Sequence, residues 1–451
     1  MKLTYLTVVM VVGTITPLTL QAAGIDRSGQ PISAFLQIGN YFEAGLSMLD
    51  PTIVGQEAGT SKTQRLISDM AEDYYFPSAA LKLQLTDQIS FGVLYDQPFG
   101  AKAAYKGRNN FVSSPKDPVL GNLPMTVGDL TNIIGGTEVE VNSQNISMIL
   151  GFQPNKNLNI YGGGAYQSIR GDLHLRGSAY SIYNGYDATF HNDSAVGWLA
   201  GLAYQIPEIA LKAAITYRSE IDHKIRTDET IKLANALTAN VTALDKTLDQ
   251  LATTGQLSSN QADAIQKTIS DIVTANRQQG QSQITTPQSV NIDFQTGIMK
   301  NTVLFATMRW VDWKNFTIRP YKFGKVTEAV GSMTGKMNGF NLVEYSDDQW
   351  SANVGVGRKI NEYWSGNLSI GWDSGAGNPI TTLGPVNGYW NVGLGLQYSP
   401  TAQTFIAGGI KYFWLGNANA QSGSQFGTND YIAQFEDNNA IAYGLKIGYR
   451  F

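Results

Sequence analysis

The chain ends Asn438-Asn439-Ala440-Ile441-Ala442-Tyr443-Gly444-Leu445-Lys446-Ile447-Gly448-Tyr449-Arg450-Phe451. From Ile441 on, every second residue is apolar: Ile441, Tyr443, Leu445, Ile447, Tyr449, Phe451. Between them stand Ala442, Gly444, Lys446, Gly448 and Arg450. A period of two belongs to a β-strand with one greasy face. A soluble sandwich would bury that face in a core. A terminal strand that ends on an aromatic and carries Lys and Arg on its other face instead suits lipid outside and a wet lumen inside. Such a strand tolerates no free edge in lipid, so the rest of the chain must close a barrel around it.

The totals agree. The 451 residues include 47 Gly, 22 Tyr, 18 Phe and 8 Trp, with 15% charged residues, a β-leaning composition rich in aromatic anchors. No cysteine is present, which excludes a disulfide framework and thiolate chemistry. A net charge of -4 without a basic cluster gives no footprint for nucleic acid. Residues 1–22 read as a secretory signal: Lys2, an apolar run from Leu3 to Val12, and a small-residue cleavage site at Leu20-Gln21-Ala22 or Gln21-Ala22-Ala23. The competing membrane anchor is broken by threonines and Pro17. Nothing later approaches the roughly 18 consecutive apolar residues of a helical span. An exported chain with membrane-type strands points to the Gram-negative outer membrane, crossed many times, with lipid and lipopolysaccharide against its outer face.

Residues 23–39, with Asp26, Arg27, Gly29 and Pro31, show no strand period and form a short plug-like leader. Residues 40–451 then read as an all-β, antiparallel transmembrane β-barrel of about fourteen strands. The expected strands are 40–54, 75–85, 89–105, 136–153, 157–180, 194–206, 209–226, 285–299, 302–319, 348–360, 363–373, 388–399, 402–416 and 438–451. Their connections alternate between short turns, such as Thr86-Asp87-Gln88 and Pro207-Glu208, and long loops, which is how an outer-membrane barrel is built. Trp390, Val392, Leu394, Leu396 and Tyr398 would face lipid, and Asn391, Gly393, Gly395 and Gln397 the lumen. Likewise Lys212, Thr216, Arg218, Glu220 and Asp222 would line the lumen behind Leu211, Ala213, Ile215 and Tyr217. Trp310, Trp350 and Trp414 on the loop side, with Tyr398, Tyr449 and Phe451 on the turn side, would form the interfacial girdles. In the longest loop, residues 227–284, apolar residues recur at steps of three and four on either side of Thr253-Thr254-Gly255. That predicts an extracellular helical hairpin whose two stripes pack on each other.

No catalytic constellation emerges. His174, His191 and His223 lack metal-ligand spacing, and neither a nucleophile elbow nor a phosphate loop is present. The reading is a protein that is not an enzyme and uses no cofactor. The irregular stretch is Tyr95-Asp96-Gln97-Pro98-Phe99-Gly100-Ala101 inside the third strand. Proline removes a ladder donor and glycine weakens pairing, so the strand should bulge there and leave a polar-lined gap; alternatively it ends near Tyr95 and Asp96 begins a loop.

The chain resembles the FadL family of outer-membrane transporters for long-chain fatty acids and other hydrophobic compounds. The resemblance rests on fourteen strands, the interrupted third strand, and Ala213-Ala214-Ile215-Thr216-Tyr217-Arg218-Ser219-Glu220-Ile221 before a helical outer loop. Trp310-Val311-Asp312-Trp313 and Gly371-Trp372-Asp373-Ser374 add to it. It implies a monomeric barrel occluded by an N-terminal hatch, with capture loops at residues 227–284 and 106–135. It also implies lateral release of hydrophobic small molecules through a gate at Asp96, Gln97, Pro98, Phe99 and Gly100. The leader here is short and lacks the family's Asn-Pro-Ala. With that cargo, Arg218 and Lys212 on the inward face are the candidate ligand-binding residues, since a carboxylate in a partly dry cavity needs a cation. The structural alternative for Arg218 is a salt bridge to Glu220 or Asp222. A general diffusion porin, suggested by the polar lumen face, and a surface adhesin or receptor built on the long loops are the competing functions.

Overall fold

The computed structural model describes residues 26–119 and 125–451. The expected signal sequence, residues 1–22, lies outside the described residues, as do leader residues 23–25. Fourteen antiparallel strands close a single barrel: β1 (Tyr41–Thr52), β2 (Tyr74–Gln84), β3 (Ile89–Asp96 and Gly100–Ala104), β4 (Glu138–Phe152), β5 (Leu158–Leu175), β6 (Tyr186–Ile206) and β7 (Leu211–Arg218 and Ile221–Ile231). They continue with β8 (Gln281–Thr286 and Ser289–Met299), β9 (Thr302–Val311), β10 (Gln349–Lys359), β11 (Trp364–Asp373), β12 (Tyr389–Tyr398), β13 (Thr404–Leu415) and β14 (Asn439–Arg450). The terminal strand closes the sheet, pairing with β1 from Tyr41 opposite Arg450 to Thr52 opposite Asn439. Neither the first nor the last strand is left with a free edge, as lipid demands.

Alternation sets the faces. Trp390, Leu394 and Leu396 on β12 are exposed, whereas Asn391 and Gln397 are buried inside. Two aromatic rows mark the interfaces. On the loop side Trp310 stands opposite Trp350, and Trp372, Trp390 and Trp414 are successive cross-strand partners. On the turn side Trp364 meets Tyr398 at 4.9 Å between ring centroids, and Tyr449 stacks on Phe451 at 5.5 Å. Trp390 and Tyr398 are separated by about 27 Å of extended strand, the height of an outer-membrane apolar band.

Strand β4 shows where the bilayer ends. Near the turns Ile146, Met148, Leu150 and Phe152 point out, and Ser143, Asn145 and Ser147 point in. Further toward the loops the polarity inverts: Glu138, Glu140 and Gln144 face outward, and Val139 is buried in the lumen. Above the membrane the barrel is packed like a soluble protein, apolar inside. For the same reason the upper strands run further than expected: β6 begins at Tyr186 rather than 194, β7 continues to Ile231, and β8 starts at Gln281. The expected loop 181–193 is therefore mostly strand.

One expected face is corrected. Strand β7 breaks at Ser219-Glu220, so the side chains beyond it swap sides. Glu220 and Asp222 are exposed on the outside, and Ile221, His223 and Ile225 are buried within. In the loop between β7 and β8 stand two helices, α1 (Lys232–Thr253) and α2 (Ser259–Asn276). The Ser258 hydroxyl accepts the Gln261 amide and the Gln261 side chain reaches back, a capping box that fixes the start of α2. Leu237, Leu244 and Leu248 of α1 join Ile269 and Ile272 of α2 in the loop-side core.

Candidate functional site: the lumen and the interrupted strand

Strand β3 is intact from Ile89 to Asp96, where it pairs with β2 up to Ala79 opposite Tyr95 and with β4 up to Asp96 opposite Asn145. Pairing with β4 resumes at Gly100 opposite Asn142, so three residues, Gln97, Pro98 and Phe99, face two on β4. That is a bulge at the proline. The β2 side does not resume in the same way. Residues Tyr74–Ser78 of β2 pair with β1, while their other edge has no ladder partner on β3. The wall closes again above the break through the Tyr74 hydroxyl, which donates to the Lys102 carbonyl (2.7 Å) and accepts the Lys102 N–H (2.8 Å). Polar groups satisfy the backbone of the break: the Ser143 hydroxyl donates to the Phe99 carbonyl and accepts its N–H, and the Pro98 carbonyl accepts the Arg27 N–H at 2.7 Å.

Arg27 belongs to the leader, which runs inside the barrel. Residues 26–39 are held by cations and amides of the wall. Arg309 Nε meets Asp26 Oδ2 at 2.7 Å, both side chains being buried, and Arg309 also donates to Asn291 and Gln30. The Asn291 amide donates to the Gly29 carbonyl, Arg218 to the Gln30 carbonyl at 3.0 Å, Lys212 to the Leu36 carbonyl at 3.2 Å, and Lys82 to the Gly39 carbonyl at 2.9 Å. Asp26 forms a bridge to Phe99, and the Ser28 hydroxyl donates to Asp96, which also accepts Asn145 at 3.0 Å. Phe35 fits flat against the wall because Gly92 and Gly151 leave room; a Cβ on either would lie 2.4 and 2.9 Å from its ring.

Two cavities lie on either side of Arg27. The upper, about 120 Å³, is walled by Leu49, Val139, Ile169, Ile225, Phe316 and Leu383, with Arg27 in its lining. The lower, about 140 Å³, is bounded by leader residues, by Glu43, Arg218 and Lys411, and by Pro77, Ser78, Asp96 and Gln97 at the break in the wall. Arg27 and Phe76 line both. The guanidinium carbon of Arg27 sits 4.2 Å above the Tyr74 ring, and its Nε and Nη2 are buried without a hydrogen-bond partner. A Cβ at Gly100 would lie 2.2 Å from that carbon. A third cavity, about 250 Å³ and lined by Tyr183, Phe323 and Met333 among others, lies among the loops; it shares Leu342 and Leu383 with the upper one.

The structure thus gathers Asp96, Gln97, Pro98, Phe99 and Gly100 at one place in the wall. Gly100 faces the Arg27 side chain rather than an empty opening. Arg218 and Lys212 lie in the lumen as expected, and each donates to the leader. The alternative pair of Arg218 with Glu220 or Asp222 does not form, because the break in β7 turns both carboxylates outward. Sequence reasoning missed Asp26, Arg27 and Ser28, which sit in a stretch without period. It also missed Arg309, Tyr74 and Ser143, whose inward alternation was a usable signal.

The chain is a transport barrel of the outer membrane, closed in lipid and filled by its own N-terminal segment. It belongs to the outer membrane protein transport protein family (OMPP1/FadL/TodX), whose model matches residues 132–451. Its fold is similar to the crystal structure of a Pseudomonas aeruginosa FadL homologue, with a TM-score of 0.63 at 12% identity over 98% of this chain and 97% of that one. It is also similar to the P. putida toluene transporter TodX (TM-score 0.55, 12% identity, 93% and 91% covered). A third similar structure is the Ralstonia pickettii toluene transporter TbuX (TM-score 0.53, 10% identity, 98% and 99% covered). Comparison with curated protein sequences found no match.

Proposed function

We propose that this barrel takes up long-chain fatty acids, passing them from the loop cavity to the upper apolar cavity, past Arg27, and out sideways through the break in β3. The observation that carries the reading is the position of Arg27, which with Phe76 stands between an apolar chamber and a cavity that reaches the wall at Pro77, Ser78 and Gln97. The energetics favour the sideways route. Each methylene returned to water costs roughly 0.8 kcal/mol, so a C16 chain delivered to the periplasm forfeits on the order of 10 kcal/mol that release into the bilayer keeps. The two free nitrogens of Arg27 suit a carboxylate, and Arg218 meets the cargo in the lower cavity once the leader shifts. The leader acts as the hatch. Its hold on the wall weighs against a diffusion porin, which keeps an open lumen.

Toluene, the cargo in the names of two proteins of similar fold, is the competing substrate class, and it carries no charge for Arg27 to meet. Oleate and toluene binding to the purified barrel separates the two. Arg27→Met should weaken oleate binding about tenfold, the equivalent of 1.4 kcal/mol, and leave toluene binding unchanged. Equal oleate affinity in wild type and variant would remove the carboxylate assignment.

A further inference from the structure

We infer that Lys411, with Ser369 and Asn353, forms a binding site for a single carboxylate inside the lumen at mid-height of strands β10 to β13. The inference stands apart from the uptake reading, because it rests on groups that neither the leader nor the break in β3 uses. Lys411 is 4% exposed, lines both the lower cavity and a smaller one of about 50 Å³ beneath Gly29 and Pro31, and makes no hydrogen bond or ion pair among the described residues. Other inward cations are engaged: Arg309 with Asp26, Lys446 with Glu43 at 3.0 Å, Arg218, Lys212 and Lys82 with leader carbonyls, and Arg27 and Arg450 over the rings of Tyr74 and Tyr41. An ammonium kept this far from water without a partner is costly unless something pairs with it.

Its surroundings form a built site. Ser369, Gly393 and Lys411 are successive cross-strand partners on β11, β12 and β13, and Asn353, Gly371 and Asn391 form the next row. Gly393 lets the lysine stem lie across the sheet, since a Cβ there would be 2.9 Å from Lys411 Cγ and 2.8 Å from Ser369 Oγ. Gly371 does the same for Asn391, whose Nδ2 would be 2.4 Å away. Ser369 Oγ, Asn391 Oδ1 and both amide atoms of Asn353 are buried without hydrogen-bond partners. Lys411 shares the lower cavity with Ser369 and the smaller one with Asn353, so the ammonium can meet a carboxylate beside a hydroxyl on one side and an amide on the other. That set matches two carboxylate oxygens with one negative charge. A phosphate dianion would need a second cation, and none is left there. Asp293 lines the smaller cavity and makes no ion pair with Lys411.

The carboxylate can be the head of a fatty acid or a free small acid. Carboxyl-¹³C-labelled palmitate and acetate, each titrated into the folded barrel in detergent, tell them apart by the carbonyl resonance of the bound form. Wild type should show a bound signal that Lys411→Met loses, with at least a tenfold drop in affinity, and that Lys411→Arg keeps. Folding of each variant is checked by heat-modifiable electrophoretic mobility. A signal from palmitate makes the site a station for the cargo head group, and a signal from acetate alone makes it a site for free small carboxylates. If palmitate does not bind at all while acetate gives the Lys411-dependent signal, fatty acid uptake fails and the site stands. Absence of a Lys411-dependent signal with either probe, in folded protein, overturns the inference.

Discussion

Two places in the wall break the strand rule, and they end differently. In β3, three residues around Pro98 oppose two on β4, and the neighbouring β2 does not follow, so its residues Tyr74–Ser78 lose their partner on that side. In β7 and β8 the break is matched: Ser219-Glu220 stand opposite Pro287-Gln288. Arg218 pairs with Ser289 before the break and Ile221 with Thr286 after it. Both strands skip two residues, the register is kept, and the faces swap together. The match holds with β8 alone: on its other side β7 has no ladder with β6 between Arg218 opposite Leu199 and Thr227 opposite Phe190. At β3 the uncompensated excursion is stabilised by a third party, the leader.

Removing that third party should have the largest effect. Arg309→Met leaves the buried Asp26 carboxylate without its cation, a loss of about 3–5 kcal/mol in leader docking. Proteolysis within residues 26–39 and a rise in single-channel conductance should report it; a leader that stays protected would show that Asp26 does not anchor it. Next comes the break itself. Pro98→Val with Gly100→Val adds a ladder donor and drives a side chain into the space of the Arg27 guanidinium. Oleate uptake should fall about tenfold with the barrel still folded, a barrier change of roughly 1.4 kcal/mol. Undiminished uptake would remove the lateral route. Tyr74→Phe is milder: the loss of the hydroxyl that bridges Lys102 should cost about 1 kcal/mol and speed hydrogen exchange at the Lys102 amide. The smallest effect is expected at the matched break, where Pro287→Ala should leave oleate uptake unchanged. A fall comparable to that at Pro98 would mean that both breaks act as exits.

Much of this was legible in the residues. The period of two in Ile441–Phe451 required a lipid-facing strand, the short and long connections gave a barrel with two unlike rims, and Pro98 with Gly100 marked the irregular strand. The inward cations Lys212 and Arg218 followed from alternation alone. The same alternation misplaced Glu220 and Asp222, because a break of two residues leaves no signature when neither is glycine or proline; the matching Pro287 lies on another strand. It also suggested a polar lumen throughout, although Glu138-Val139-Glu140-Val141 already carried the inverted pattern of a wall above the membrane.

The sequence by itself determined strand identity, face and closure, because lipid on one side and water or protein on the other impose a strict alternation that each strand shows locally. Only the tertiary structure decided what fills the lumen. Residues 26–39 have no period to read, and their path is set by partners far along the chain, Arg309 and Asn291 above all. The same holds for Arg27 and Lys411. Whether a buried cation is paired depends on which carbonyls and carboxylates the closed barrel brings within reach, and no local pattern encodes that distance.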